Sequence, residues 1–175
     1  MEIRERILHS AERVFDRQGF TASGMDLLTR ECQVSTRTLY KHLGNKNLLA
    51  AAVLRQRRQR FFQQLQLDGV DSLFDSLEAW AQAEGSRGCL FLRAQADMGH
   101  GVPEIEQEVS EYRAQLAAAM RQVAEQHVPA AAQEAAASAL LVLFEGAVTA
   151  SSYVGVSAIQ AARNSAALVL SHSQP

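Results

Sequence analysis

Apolar residues recur at helical spacing from the first turn of the chain. Ile3, Ile7, Leu8, Ala11, Val14 and Phe15 fall on one side and Arg4, Glu5, Glu12, Arg13 and Asp16 on the other. The spacing predicts a helix that stops at Gly19, which tolerates the left-handed backbone needed past a helix end, with Phe20 folding back on Phe15. Ser23 is expected to cap a second helix, with Asp26 completing a Ser-x-x-Asp box and Met25, Leu28 and Cys32 facing inward. After a break at Gln33 and Val34, Ser35 caps a third helix from Thr36 to about Leu43, anchored only by Leu39 and Leu43. Gly44-Asn45 is a turn signal, and Asn45 caps a long fourth helix to about Leu67, where Asp68-Gly69 breaks it. Further helices are expected at about 70–84, 87–98, 103–127, 130–154 and 157–171, separated by Gly85, the Gly99–Pro103 stretch, Pro129 and Gly155. No strand pattern competes, so the chain reads as all-α with about nine helices.

Composition strengthens this picture, since Ala, Leu, Gln, Glu and Arg abound while Pro numbers only 3 in 175 residues. The longest uncharged apolar run of the body, Ala135 to Phe144, is short of the ~20 residues of a membrane helix, so no membrane span is expected. The MEIRER start places charges where a signal peptide has its apolar region, and Cys32 and Cys89 form no disulfide framework; a cytoplasmic location is expected. The net charge of −2 conceals a segregation: residues 1–60 hold 12 Lys or Arg against 6 Asp or Glu, whereas residues 61–175 hold 5 against 13. A basic head on an acidic body fits a polyanion-binding module joined to a domain that does not bind polyanions.

Two short helices joined by a tight turn, the second of them polar and a third helix packed behind, form a helix-turn-helix. Within Val34–Leu49 the chain resembles the TetR family of regulators. That family's pattern, Val-Ser-x-x-Thr-Leu-Tyr-x-His-Phe-x-x-Lys-x-x-Leu, is matched at Val34, Ser35, Thr38, Leu39, Tyr40, His42, Lys46 and Leu49, with Leu43 in place of Phe. The resemblance covers roughly residues 3–55. Thr29 stands for the usual small residue of the second helix, Leu27 for a frequent acidic residue, and Gln33 for the usual Gly of the turn. A left-handed Gln costs about 1 kcal/mol. Residues 1–46 are therefore expected to form the DNA-binding domain and 47–175 a helical effector-binding and dimerisation domain.

On the DNA face, Ser35, Thr36, Arg37 and Thr38 at the start of the third helix are placed to read bases, Arg37 by pairing with a guanine. Tyr40, Lys41, His42 and Lys46 are placed to grip phosphates, Lys46 in the first turn of a helix whose dipole already favours an anion. Arg55, Arg57, Arg58 and Arg60 wrap around the fourth helix and read as solvated surface, part of the set facing acidic groups.

One helix-turn-helix reads little DNA, so a two-fold homodimer on a palindromic operator is expected. The last two helices are apolar on more than one side, and Leu140, Phe144, Ala147, Ser151, Ile159, Ala162, Ala166 and Val169 are the expected interface; the resemblance implies a four-helix bundle between subunits. Phe62, Trp80, Cys89, Arg93, Met98, Tyr112 and Phe144 are candidate pocket residues for a small-molecule effector, with Arg93 as anchor for an anion. The leading expectation is a repressor released from its operator by that effector. The alternatives are a helical protein–protein adaptor and a redox-sensing regulator using the Cys89 thiol. No nucleophile–base pair or phosphate loop suggests an enzyme, and no cofactor is expected. Asp97, His100 and Glu104 straddle a Gly-rich bend with no thiolate partner, so no metal site is expected either.

Overall fold

The computed structural model describes residues 2–99 and 101–172, so His100 lies outside the described residues. All regular elements among them are helical: α1 (Ile3–Gln18), α2 (Met25–Cys32), α3 (Thr36–Leu43), α4 (Lys46–Gln64), α5 (Val70–Glu84), α6 (Leu90–Met98), α7 (Pro103–His127), a 3-10 turn (Ala130–Ala132), α8 (Gln133–Val154) and α9 (Ser157–His172).

Two compact units divide the chain. The first combines the residues up to Arg60 with Leu90–Tyr112, and the second combines Phe61–Cys89 with the residues from Arg113 on. Helices α4 and α7 each run through both.

In the first unit α1 packs on α2 and α3 through the stripe expected of it, with Ile7, Leu8, Ala11 and Phe15 buried. Gly19 sits at φ 80 past the end of α1, and Phe20 turns back to stack on Phe15 at 4.6 Å between ring centroids. Ser23 does not cap α2. Its hydroxyl donates to the Gly19 carbonyl at 2.6 Å, closing the turn after α1, and the helix begins behind Gly24 instead. Ser35 does cap α3, its Oγ accepting from the Thr38 N–H at 3.1 Å, and Asn45 Oδ1 accepts from the Leu48 N–H at the start of α4. Between α2 and α3, Gln33 is left-handed at φ 54, ψ 45. Gln33→Gly is expected to raise stability by about 0.5–1 kcal/mol, read as a shift of the urea midpoint at unchanged slope.

The same unit contains two sets of charges on α4. Arg57 and Arg60 bind Glu12 of α1, at 2.7 and 2.9 Å. Arg55 binds Glu108 of α7 at 2.6 Å, and Arg58 reaches both Glu108, at 3.1 Å, and Glu111. Arg55 is exposed as the sequence suggested, but Arg60 is half-buried and Arg57 and Arg58 are buried, and the expected pairing with acidic groups extends to all four. Arg57, Arg58, Glu12 and Glu108 are buried, because four guanidinium groups at two spacings of three find carboxylates on two flanking helices. Tyr112 of α7 stacks on Phe91 of α6 at 4.0 Å.

In the second unit α8 lies along α9, and α9 along α5. Phe61 meets Phe62, Trp80 and Phe144 edge-on, and Phe74 tilts onto Phe144. Arg163 of α9 holds Asp71 and Asp75 of α5, at 2.7 and 2.6 Å. Helix α6 begins at Leu90 rather than near 87, since Gly88 stands at φ 77 and interrupts any earlier start. By length and composition alone Ala130–Val154 is long and apolar enough to cross a membrane, as the core helix of a soluble protein can also be. The uncharged run between Glu134 and Glu145 is shorter, but apolar character continues on both sides of those acids.

Candidate nucleic-acid interface

Helix α3 owes its position to two residues. Leu39 and Leu43 are buried against the rest of the head, which leaves the other side of this eight-residue helix facing outward. The cap at Ser35 then aims the first turn. Ser35 and Thr38 spend their hydroxyls on it, with Ser35 Oγ 2.9 Å from Thr38 Oγ1 as well as accepting from the Thr38 N–H. Thr36 and Arg37 are exposed and, among the described residues, make no side-chain hydrogen bond or ion pair. Of the four residues expected to read bases, these two present open donors and the other two shape the turn that presents them.

The residues expected to grip phosphates divide in the same way. Tyr40 is 47% exposed and Lys41 is exposed one residue further along. His42 is half-buried and lines a cleft of about 390 Å³ with Arg4, Leu48, Arg55 and Glu104. Lys46 is held more firmly than the sequence suggested: its Nζ donates to the Thr21 carbonyl at 3.3 Å. Partial burial lowers the pKa of its ammonium from the ordinary lysine value, and the charge of Asp97 acts in the opposite direction.

Asp97 is the residue that sequence reasoning missed here. Its Oδ2 accepts from the Phe20 N–H at 2.8 Å, and its carbonyl accepts from the Thr21 hydroxyl at 3.0 Å. Arg93, one turn earlier on α6, donates to the carbonyls of Phe15 and Asp16 and to the Asp16 carboxylate, covering the C-terminal end of α1. Arg93 is thereby committed to α1, which corrects its placement as an effector anchor. A contact spanning 77 residues of chain leaves no local sequence signal.

Among the other pocket candidates, Phe62, Trp80 and Phe144 come together around Phe61 in the second unit. Tyr112 and Met98 belong to the first unit, Tyr112 buried against Phe91 and Met98 half-buried; Cys89 is half-buried in the second. The interface candidates need a sharper correction. Leu140, Phe144, Ser151, Ile159 and Ala166 are buried within the chain and face its own core, Val169 is half-buried, and Ala147 and Ala162 have little exposed surface but border the outer groove of α8 and α9. The outward apolar stripe is the opposite one: Val142 and Tyr153 of α8 and Leu168 of α9 are 71%, 76% and 61% exposed. A shallow groove between the two helices is lined by Val142, Gly146, Ala150, Ala158 and Ala161, together with Ala147 and Ala162 from the expected set. Among the described residues no group of three or more His, Cys, Asp or Glu could hold a metal ion.

Comparison with known proteins places this geometry. Residues 7–53 match the sequence profile of the bacterial regulatory proteins, tetR family. The HTH-type transcriptional regulator UidR of Escherichia coli K12 is 35% identical over 57 residues, which are 33% of this chain and 29% of that protein. A TetR-family transcriptional regulator of Streptomyces coelicolor superposes with a TM-score of 0.89 over 99% of this chain and 96% of its own, at 24% identity. A TetR transcriptional regulator of Legionella pneumophila superposes at 0.81, covering 96% and 97% of the two chains at 16% identity. By sequence, residues 7–53 thus match the tetR family of bacterial regulatory proteins, and over nearly its whole length the chain shares the fold of solved regulators of that family.

Proposed function

We propose that the chain is a homodimeric, DNA-binding transcription regulator of the cytoplasm, a repressor that leaves a palindromic operator when a small molecule binds its C-terminal helices. The observation that carries the reading is the open pair Thr36 and Arg37 on the capped first turn of α3, inside the segment that matches the family. Arg37 supplies two parallel donors that suit the O6 and N7 of a guanine, while Tyr40, Lys41 and Lys46 supply donors for the backbone on either side. The basic balance of the first 60 residues favours the same partner.

The dimer is formed by the outward stripe of α8 and α9, with Ala147 and Ala162 the members of the expected set that border it. Val142, Gly146, Thr149 and Tyr153 repeat at helical spacing on α8, and Ala158, Ala161, Ser165 and Leu168 on α9, with small residues that permit close approach of the two helices to their copies. A second copy would cover the apolar face that otherwise makes α8 resemble a membrane helix. The aromatic group Phe61, Phe62, Trp80 and Phe144 is the part of the body whose chemistry best suits an apolar effector. An effector shifts the regulator only by binding the released form more tightly than the operator-bound form.

Two substitutions test the assignment of roles. Lys46→Ala is expected to weaken binding to every duplex and to lower the salt slope by about one counterion, whereas Arg37→Ala is expected to relax discrimination at one base position by about 1–3 kcal/mol. Isotherms against a panel of single-base variants check both. An Arg37→Ala protein that loses affinity equally for all of them contradicts base reading by this residue.

A further inference from the structure

The turn between α1 and α2 is held from two directions. Gly19 starts it at φ 80, and a Cβ added there would stand 3.0 Å from Asp97 Oδ2, so the close approach of the carboxylate depends on glycine as much as the backbone conformation does. Phe20 donates its N–H to that carboxylate, and Thr21 donates its hydroxyl to the Asp97 carbonyl. Ser23 closes the turn internally onto Gly19. On its other side, the Thr21 carbonyl receives the Lys46 ammonium from the first turn of α4. The end of α6, the α1–α2 turn and the start of α4 thus form one chain of polar contacts within the first unit.

We infer that Asp97 is a positioning residue of the DNA-binding head: by fixing Phe20 and Thr21 it holds the carbonyl on which Lys46 rests, and so sets where the ammonium meets a phosphate. The inference rests on the DNA-binding reading above. Electrostatics alone predicts the reverse sign, since a carboxylate close to a phosphate-binding ammonium repels the polyanion and its removal should tighten binding. Geometry and charge therefore make opposite forecasts for the same substitution.

The test uses the full chain as wild type, D97A, D97N, K46A and the D97A/K46A double variant. It has two readouts: amide exchange at Phe20 and Thr21, and affinity for a duplex selected by the wild-type protein from a random-sequence pool. Loss of a hydrogen bond to a charged acceptor corresponds to about tenfold or more, so exchange at Phe20 is expected to rise by at least that in D97A. Affinity is expected to fall about three- to tenfold in D97A with a lower salt slope, and not to fall further when D97A is added to K46A. D97N keeps an oxygen that accepts from the Phe20 N–H and sheds the repulsive charge, so it is expected to bind at least as tightly as wild type. Tighter binding by D97A, an equal loss in the K46A background, or unchanged exchange at Phe20 each overturn the inference. A wild-type protein that retains no duplex overturns the DNA-binding reading instead, and exchange at Phe20 still decides whether Asp97 holds the turn.

Discussion

Replacing Glu12 by Ala is expected to lower the stability of the chain by about 3–5 kcal/mol, the range for breaking a buried ion pair from one side. Glu12 is 4% exposed on the inner face of α1, where Arg57 and Arg60 approach it at 2.7 to 3.0 Å. Burying three charges is costly, and the arrangement holds because each carboxylate oxygen receives guanidinium donors in good geometry. Taking the carboxylate away leaves the cost of burying Arg57 without that return. Urea denaturation at neutral pH measures the loss, and a change below 1 kcal/mol would show that the clamp is not a strong contact.

The same carboxylate gives stability a pH dependence of known sign. Burial pushes its pKa up, but the hydrogen bonds and charges of Arg60 and Arg57 outweigh burial and bring it below the ordinary 4.5. A carboxylate lowered on folding contributes stability that is fully present above its unfolded pKa and is lost as pH falls through the folded one. Stability of the wild type is therefore expected to drop more steeply below about pH 4.5 than that of Glu12→Gln, which has no proton to gain. Parallel acid limbs would contradict the assignment.

The second large effect is expected at the outward face of α8. Val142→Asp places a carboxylate on a residue already 71% exposed, so the fold of the single chain should be unaffected. At a two-fold contact each copy meets the other's new charge in an apolar setting. The dimer should dissociate, and operator affinity should fall by about 100-fold or more, because two heads acting together gain 10²–10⁴ over one. Sedimentation and binding isotherms read the two consequences separately. A Val142→Asp protein that remains dimeric excludes this face as the interface.

What the sequence made legible was local. The Ser35 cap, the Gly44 stop and the Phe15–Phe20 contact depend on residues within a few positions of each other, and all three stand in the structure as expected. The capped turn that leaves Thr36 and Arg37 exposed was legible for the same reason. Contacts between distant segments were not. Ser23 carries an N-cap signature, yet its hydroxyl goes to Gly19, since two local partners compete and packing decides between them. The arginines of α4 looked solvated because Glu12 and Glu108 lie 45 or more residues away. Periodicity on α8 and α9 revealed two apolar sides of each helix but not which side the chain covers itself. Choosing the side of Leu140 and Phe144 selected the core, and only the position of α5 and the aromatic cluster resolves the choice.

The central claim is that the turn from Ser35 to Thr38 probes bases while Tyr40, Lys41 and Lys46 hold the backbone. Gel-shift isotherms of the wild-type protein with genomic fragments, run at about 50 and 200 mM salt, test it most directly. The account predicts a discrete shifted species for a minority of fragments, with affinity falling about 10³-fold or more across that range. Uniform retention of all fragments, or an affinity indifferent to salt, would contradict it.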